Sequence, residues 1–272
     1  MNKRFWGIVG VIAVIVIGFV LFQGTRQPSS STSNQTGSSA APASVVKGVT
    51  SVAIATLDSI GAGTSNSSPH AITAPSLTEN GKPEIFYEGA EYCPFCATER
   101  WAMAQALSRF GTFSNLGVTH SSTTDVYPNT QTLSFYGSSY TSQYIAFTPV
   151  EVYTNISNGA GYTSLQTPTS AQQSLVNTYD ATPYLPSSEA QSIPFIDFGG
   201  MYLIAGATYS PTVLQGESAN DIASSLNNPK SAIAQGVDGA ANVITAAICK
   251  MTNNQPGTVC DPTIQKLETT SL

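Results

Sequence analysis

The chain has 272 residues, with 10 Lys plus Arg against 16 Asp plus Glu and a formal net charge of −6. So few cations exclude a protein that neutralises nucleic-acid phosphates, and the length suffices for one enlarged domain or two small ones. Charged residues make up 10%, against about 25% in ordinary soluble domains, a balance suited to acidic or saline surroundings or to a glycan-covered exterior.

Lys3 and Arg4 precede an uninterrupted apolar run over residues 5–22, long enough to span a bilayer, and these charges keep residues 1–4 on the cytoplasmic side. A cleaved signal peptide would call for a small-residue site close behind the run, and Ala40-Ala41-Pro42-Ala43 lies far downstream. The expectation is an uncleaved single-pass anchor in the cell membrane, with the folded part extracytoplasmic. Residues 23–43, rich in Ser, Thr, Gln, Gly and Pro, bury too little to fold and read as a tether. The folded domain is expected over 44–272. Val45, Val49, Val52, Leu57 and Ile60 predict one amphipathic helix closed by Gly61, followed by a loop over 62–81.

Glu84-Ile85-Phe86-Tyr87 is a strand signal, broken by Gly89-Ala90 and followed by Cys93-Pro94-Phe95-Cys96. Cys96, Met103, Leu107 and Phe110 then share one helical face, Pro94 suits the first turn, and Gly111 closes the helix. Unpaired N–H groups at a helix start stabilise a thiolate, so Cys93 should attack disulfides while the sheltered Cys96 resolves the product. The competing readings are half a zinc site and an inert structural bridge. Zinc wants a second close Cys/His pair, and Cys249, Cys260, His70 and His120 lack that spacing.

Farther on, Val118–Ser121, Leu133–Tyr136 and Tyr144–Tyr153 look like strands among polar loops, and Tyr136, Tyr140 and Tyr144 are candidates for a binding surface. Ser192 to Phe198, then Gly199-Gly200, then Met201 to Ile204 predict a hairpin with a two-residue loop. Pro194 fits at the beginning of its first strand, where a cis Ile193–Pro194 bond would be a built feature. Ser218 caps a short helix ended by Pro229, and Ile233, Val237, Ala241, Ile244 and Ile248 mark a longer one that closes at Cys249. An even cysteine count outside the cell favours a Cys249–Cys260 disulfide, which stabilises by about 2–3 kcal/mol as a structural bridge; a second redox pair is the other reading. His70 and His120 are isolated and read as loop or strand residues.

Strand, Cys-Pro-x-Cys, helix, and later Ile-Pro before a strand, Gly-Gly and a further strand together resemble the thioredoxin superfamily. More narrowly, Gly89 to Ala102, Asp125 to Thr130 and Phe147 to Glu151 are similar to domain-of-unknown-function family 929, whose members are exported or anchored thioredoxin-like proteins. The resemblance implies an α/β thioredoxin-like fold with a mixed central sheet flanked by helices. An insertion over about 113–189 would lie between the CPFC helix and the cis-Pro strand, and one transmembrane helix would precede the domain. It implies catalytic Cys93 and Cys96, and a substrate groove shaped by Ile193, Pro194, Pro94 and Phe95. The implied activity is thiol-disulfide exchange with thiols or disulfides of exported proteins and with a membrane or soluble redox partner, without cofactor or metal.

Tyr87 stands where thioredoxins carry a buried acid, and Glu88 would point to the other face of the strand. Glu91 and Glu99 read as solvated helix-end charges, Arg100 and Trp101 as surface and helix-packing groups. Phe95 carries no charge, so the potential should be less oxidising than about −120 mV. The alternative function is a non-enzymatic cell-surface interaction module whose CPFC disulfide staples the fold.

Overall fold

The computed structural model describes residues 37–272; the expected anchor at 5–22, the tip before it and most of the expected tether lie outside them. The chain runs β1 (Ser39–Ala40), α1 (Ala43–Thr50), α2 (Ile54–Ile60), β2 (His70–Ala71), β3 (Thr78–Glu79), β4 (Lys82–Gly89) and α3 (Pro94–Ser108). Then follow β5 (Gly111–Ser114), β6 (Gly117–His120), β7 (Gln131–Ser134), β8 (Ser139–Ser142), β9 (Ala146–Glu151), β10 (Tyr153–Ser157), β11 (Tyr162–Ser164) and α4 (Ser170–Tyr179). Last come β12 (Phe195–Phe198), β13 (Tyr202–Ala205), α5 (Ala219–Ser225), α6 (Ala232–Met251) and α7 (Pro262–Thr270).

The central sheet is mixed. β4 is paired antiparallel to β12 and parallel to β9; β13 and β2 extend the sheet beyond β12. Ile85, Phe86 and Tyr87 of β4 are all buried, the continuous apolar run of a strand covered on both faces. Pro149 sits within β9, whose ladder runs to β4 alone, so its missing N–H breaks no second ladder. Gly199 and Gly200 turn the β12–β13 hairpin with φ of 66° and 74°. At Gly200 a Cβ would also lie 2.5 Å from the Pro75 carbonyl oxygen, so both conformation and space require glycine. Phe198 pairs with Tyr202, which makes this loop one residue longer than the sequence suggests.

One face of the sheet packs on α3 and α6. Ala232–Met251 is the one unbroken helix among the described residues with the length and apolarity of a membrane span; 89% of its most apolar 18-residue stretch is buried in the core, the polar Asp238 and Asn242 included. Gln105 donates to Asp238 across the α3–α6 contact at 2.8 Å. On the other face Phe86, Phe195 and Leu203 are covered by Leu175, Val176 and Tyr179 of α4.

Several elements differ from the sequence reading. The single helix expected from Val45 to Ile60 is two, bent by 59°. Thr50 turns its hydroxyl back onto the Val46 carbonyl and Ala53 is extended, so the chain breaks between them. The break lets Val45 and Val49 pack toward α5 while Asn242 of α6 bonds the Leu57 and Gly61 carbonyls. The end of the expected tether is docked, since Ser39 and Ala40 pair with Val118 and Gly117. Two helices went unread although their caps are legible: Thr169 and Gln172 form a capping box for α4, and Asp261 caps α7 ahead of Pro262. Tyr140 faces inward, donating to the Leu107 carbonyl and packing on Phe113 and Phe147, so it supplies core and no binding surface.

Candidate functional site

β4 ends at Gly89, and the next three residues turn the chain so that Cys93 becomes the N-cap of α3, with φ −75° and ψ 124°. Its Sγ accepts the Cys96 N–H at 3.2 Å, in the role a Ser or Asp oxygen usually plays at a helix start. Pro94 occupies the first turn, where no N–H is needed. Cys93 is 5% exposed, Cys96 is fully enclosed, and both are free thiols.

Their proton affinities diverge. Burial works to raise the Cys93 thiol, yet its pKa lies below the ordinary value, because the Cys96 thiol and N–H, the Arg100 charge and the Phe95 N–H all favour the thiolate. Burial pushes Cys96 well up, and the neighbouring Cys93 adds to the rise. One sulfur is thus prepared to be an anion beside a sulfur that stays a thiol.

Pro194 follows a cis peptide bond, and the Ile193 carbonyl before it lies 3.6 Å from the Cys93 Sγ. Ile193, Pro94 and Phe95 line an open cleft of about 480 Å³ with Tyr92 and Cys93, while Pro194 is buried beneath. Asp125 and Glu189 also line this cleft. Glu189 is held by His70 at 2.6 Å, a contact that ties the edge of the sheet to the segment leading into Pro194.

Segments between α3 and β12 shape this end of the molecule. Phe95 meets Tyr127 edge-on with ring centroids 5.8 Å apart, and Val126 beside it is 65% exposed. Tyr92, directly before Cys93, stacks on Tyr162 of β11 at 4.1 Å. Tyr162 donates to the Ser122 hydroxyl, and the Ser122 N–H donates to the Tyr92 carbonyl, both at 2.7 Å. Two separate segments between α3 and β12 therefore hold the residue that precedes the first cysteine.

Beneath the pair lies a buried charge cluster. Arg100 follows Cys96 by four residues and so shares its helical face. Its Nε and Nη2 donate to the two Glu151 oxygens at 2.7 and 2.8 Å, and Nη2 also donates to the Ala90 carbonyl. Glu99 accepts from the Thr208 N–H at 2.8 Å and from its hydroxyl. The sequence reading of Glu91, Glu99 and Arg100 as solvated groups is wrong: none has any exposed surface. Residue type points outward for all three, but Glu99 and Arg100 lie on α3, which is enclosed by the sheet, α6 and the segments between α3 and β12, and Glu91 lies in the enclosed turn just before it. Glu151 went unread because nothing in the local sequence marks it as the partner of a residue on another element. Trp101 is a packing residue, fully buried and donating to the Gln131 carbonyl.

Cys249 and Cys260 form a disulfide with Cα atoms 5.7 Å apart, set in the core with α6 and α7 and in a different cluster from Cys93 and Cys96. His120 bonds the Ser121 carbonyl. Among the described residues no group of three or more His, Cys, Asp or Glu is placed to hold a metal ion.

A family model described as Domain of unknown function (DUF929) matches residues 69–250, more than half of the chain. No curated protein and no solved structure matches it.

Proposed function

The chain belongs to the DUF929 family, and we propose that it is a membrane-tethered, extracytoplasmic thiol-disulfide oxidoreductase acting on exported proteins. The observation that carries this reading is the asymmetry of the CPFC pair: Cys93 caps a helix at the floor of an open cleft with a lowered pKa, and Cys96 is enclosed behind it with a raised one. The order β4, α3, β9, β12, β13, α6, with a cis proline leading into β12, supports a thioredoxin-like core. The apolar run at 5–22 supports the tether.

In the reducing direction the Cys93 thiolate attacks one sulfur of a substrate disulfide, forming a Cys93–substrate bond and expelling the other substrate sulfur as a thiolate. Cys96 then loses its proton and attacks the Cys93 sulfur. The substrate leaves as a dithiol and Cys93–Cys96 becomes a disulfide. The oxidising direction is the same path reversed. The Ile193 backbone beside Cys93 presents main-chain groups to an extended substrate segment.

The test is a redox titration of the full chain in detergent, with alkylation and mass spectrometry reporting each cysteine pair. Equilibration of Cys93/Cys96 between about −120 and −270 mV while Cys249/Cys260 stays oxidised is the expected result. Resistance of both pairs below about −300 mV would make the CPFC bridge structural and the protein an interaction module.

A further inference from the structure

Arg100 is enclosed completely, and Glu151 and the Ala90 carbonyl occupy its Nε and Nη2. The remaining nitrogen, Nη1, makes no hydrogen bond. It lies 3.8 Å from Oε2 of Glu91, which is equally buried and equally unbonded. The other Glu91 oxygen accepts from Ser134 at 2.5 Å. Two facing polar atoms, each capable of a charge-assisted bond and each lacking one, form a costly arrangement that disulfide exchange as written above does not use.

Counting charge shows what the arrangement can do. One guanidinium faces two carboxylates, so with both ionised the cluster carries one net negative charge in a site without solvent. Arg100 is also the cation acting on Cys93 and Cys96. A Cys93 thiolate would place a second uncompensated negative charge against the same cation, and a low-dielectric site resists that strongly.

We propose that Glu91 and Cys93 share one negative charge through Arg100: Glu91 is ionised while the pair is a disulfide, and on reduction it takes up a proton as Cys93 becomes the thiolate. This rests on the reading of Cys93 and Cys96 as an exchanging pair. A substrate dithiol gives up two electrons and two protons and leaves as a disulfide. The electrons break the Cys93–Cys96 bond, one proton goes to Cys96, and the other goes to Glu91. The charge of the site is the same before and after. Glu91 is a positioning residue here, acting on the sulfur through Arg100.

The surroundings of Glu91 single it out as the group that moves the proton. Arg100 on α3 stays charged, and burial, outweighing the pull of Arg100, keeps Tyr87 on β4 neutral. Glu151 on β9 is held by two bonds to Arg100, while Ser134 on β7 and Thr119 on β6 contribute hydroxyls. Burial, with Glu151 adding to it against Arg100 and the two hydroxyls, brings the Glu91 carboxyl up to about 7. The 3.8 Å gap fits a neutral Glu91, which does not grip the guanidinium.

The experiment equilibrates the full chain in detergent with reduced and oxidised glutathione across the pH range around 7, following the Cys93 thiolate by its ultraviolet absorbance. Two glutathione thiols release two protons. The equilibrium constant is therefore flat with pH if the protein takes up both, and rises tenfold per pH unit if it takes up one. Wild type should be flat while Cys93 is already a thiolate, and Glu91→Gln should rise tenfold per unit. An infrared difference spectrum should show a protonated carboxyl appearing on reduction in wild type and absent from Glu91→Gln. If Glu91→Gln does not fold, Ser134→Ala, which removes a bond favouring the ionised carboxylate, should move the flat region to higher pH. A tenfold rise already present in wild type, or flatness with Cys93 protonated, overturns the proposal while leaving exchange intact. Failure to equilibrate with glutathione at any pH overturns the exchange reading itself.

Discussion

Replacing Glu99 by Gln should stabilise this protein at neutral pH, against the usual expectation for a buried hydrogen-bonded residue. Glu99 is fully enclosed on α3, and burial brings its carboxyl up to about 7 despite the bonds from Thr208. Its unfolded value is 4.5, so the folded state binds the proton more tightly. The stability linked to that proton is complete below pH about 4.5 and is lost as pH rises to about 7. A shift of about two and a half units corresponds to about 3 kcal/mol above that window. At about 2–4 °C per kcal/mol for a domain of this size, the melting temperature of Glu99→Gln should exceed wild type by ~6–12 °C at pH 8 and converge with it near pH 5. Gln keeps an oxygen for the Thr208 N–H and offers an amide donor to its hydroxyl, so no partner is stranded. Calorimetric melts of both proteins across this range decide the matter. Equal destabilisation of the variant at pH 5 and pH 8 would refute the reasoning, because it would mean that the carboxylate is stabilised by its bonds rather than penalised by burial.

The same sign extends to the whole protein: among the described residues, Glu91 and Asp238 are raised to about 7 and Asp197 to about 6, burial being the largest cause in each. Wild type should therefore melt higher at pH 5 than at pH 7.5, and a melting temperature that climbs over that interval would contradict these shifts. Arg100→Leu leaves Glu151 and Glu91 enclosed without their cation. It should cost about 3–5 kcal/mol in urea unfolding and raise the Cys93 thiol, whereas an unmoved thiolate titration would take Arg100 out of the site. Joint replacement of Cys249 and Cys260 by Ser opens a bridge with a sequence separation of 11 and should cost about 3 kcal/mol, with the exchange rate at Cys93 unchanged; loss of exchange would place that bridge in the electron path. Phe95→Ala should raise KM for an unfolded protein disulfide several-fold while leaving kcat for a small disulfide unchanged, since Phe95 is a 38% exposed wall of the cleft. Equal losses for both substrates would show that it acts on the cysteines instead.

Local signals were enough for much of the architecture. The switch from the apolar run at Ile85–Tyr87 to Cys-Pro-x-Cys and then to helical spacing locates a strand, a cap and a helix. Ile193-Pro194 and Gly199-Gly200 locate the second arm of the site and its hairpin, and the even cysteine count foretells the Cys249–Cys260 bridge. The strand, cap, helix and hairpin each depend on residues within a few positions of one another, where backbone conformation and side-chain chemistry act directly. α4 and α7 carry legible caps in Thr169 and Asp261, but few apolar residues mark their helical faces.

Tertiary packing decided the rest. Glu91, Glu99 and Arg100 carry surface residue types, and no spacing distinguishes them from solvated charges; Glu99 and Arg100 are enclosed because α3 is covered by the sheet, α6 and the segments between α3 and β12, and Glu91 because the turn before α3 is buried with it. Glu151 becomes the partner of Arg100 only when β9 lies parallel beside β4. Tyr162 comes to rest on Tyr92 only when the β10–β11 hairpin folds back over the cap. The sequence by itself determined that a thiol pair stands at a helix start. The fold determined which charges surround that pair, because burial and Coulomb interaction depend on distance in space and take no account of distance along the chain.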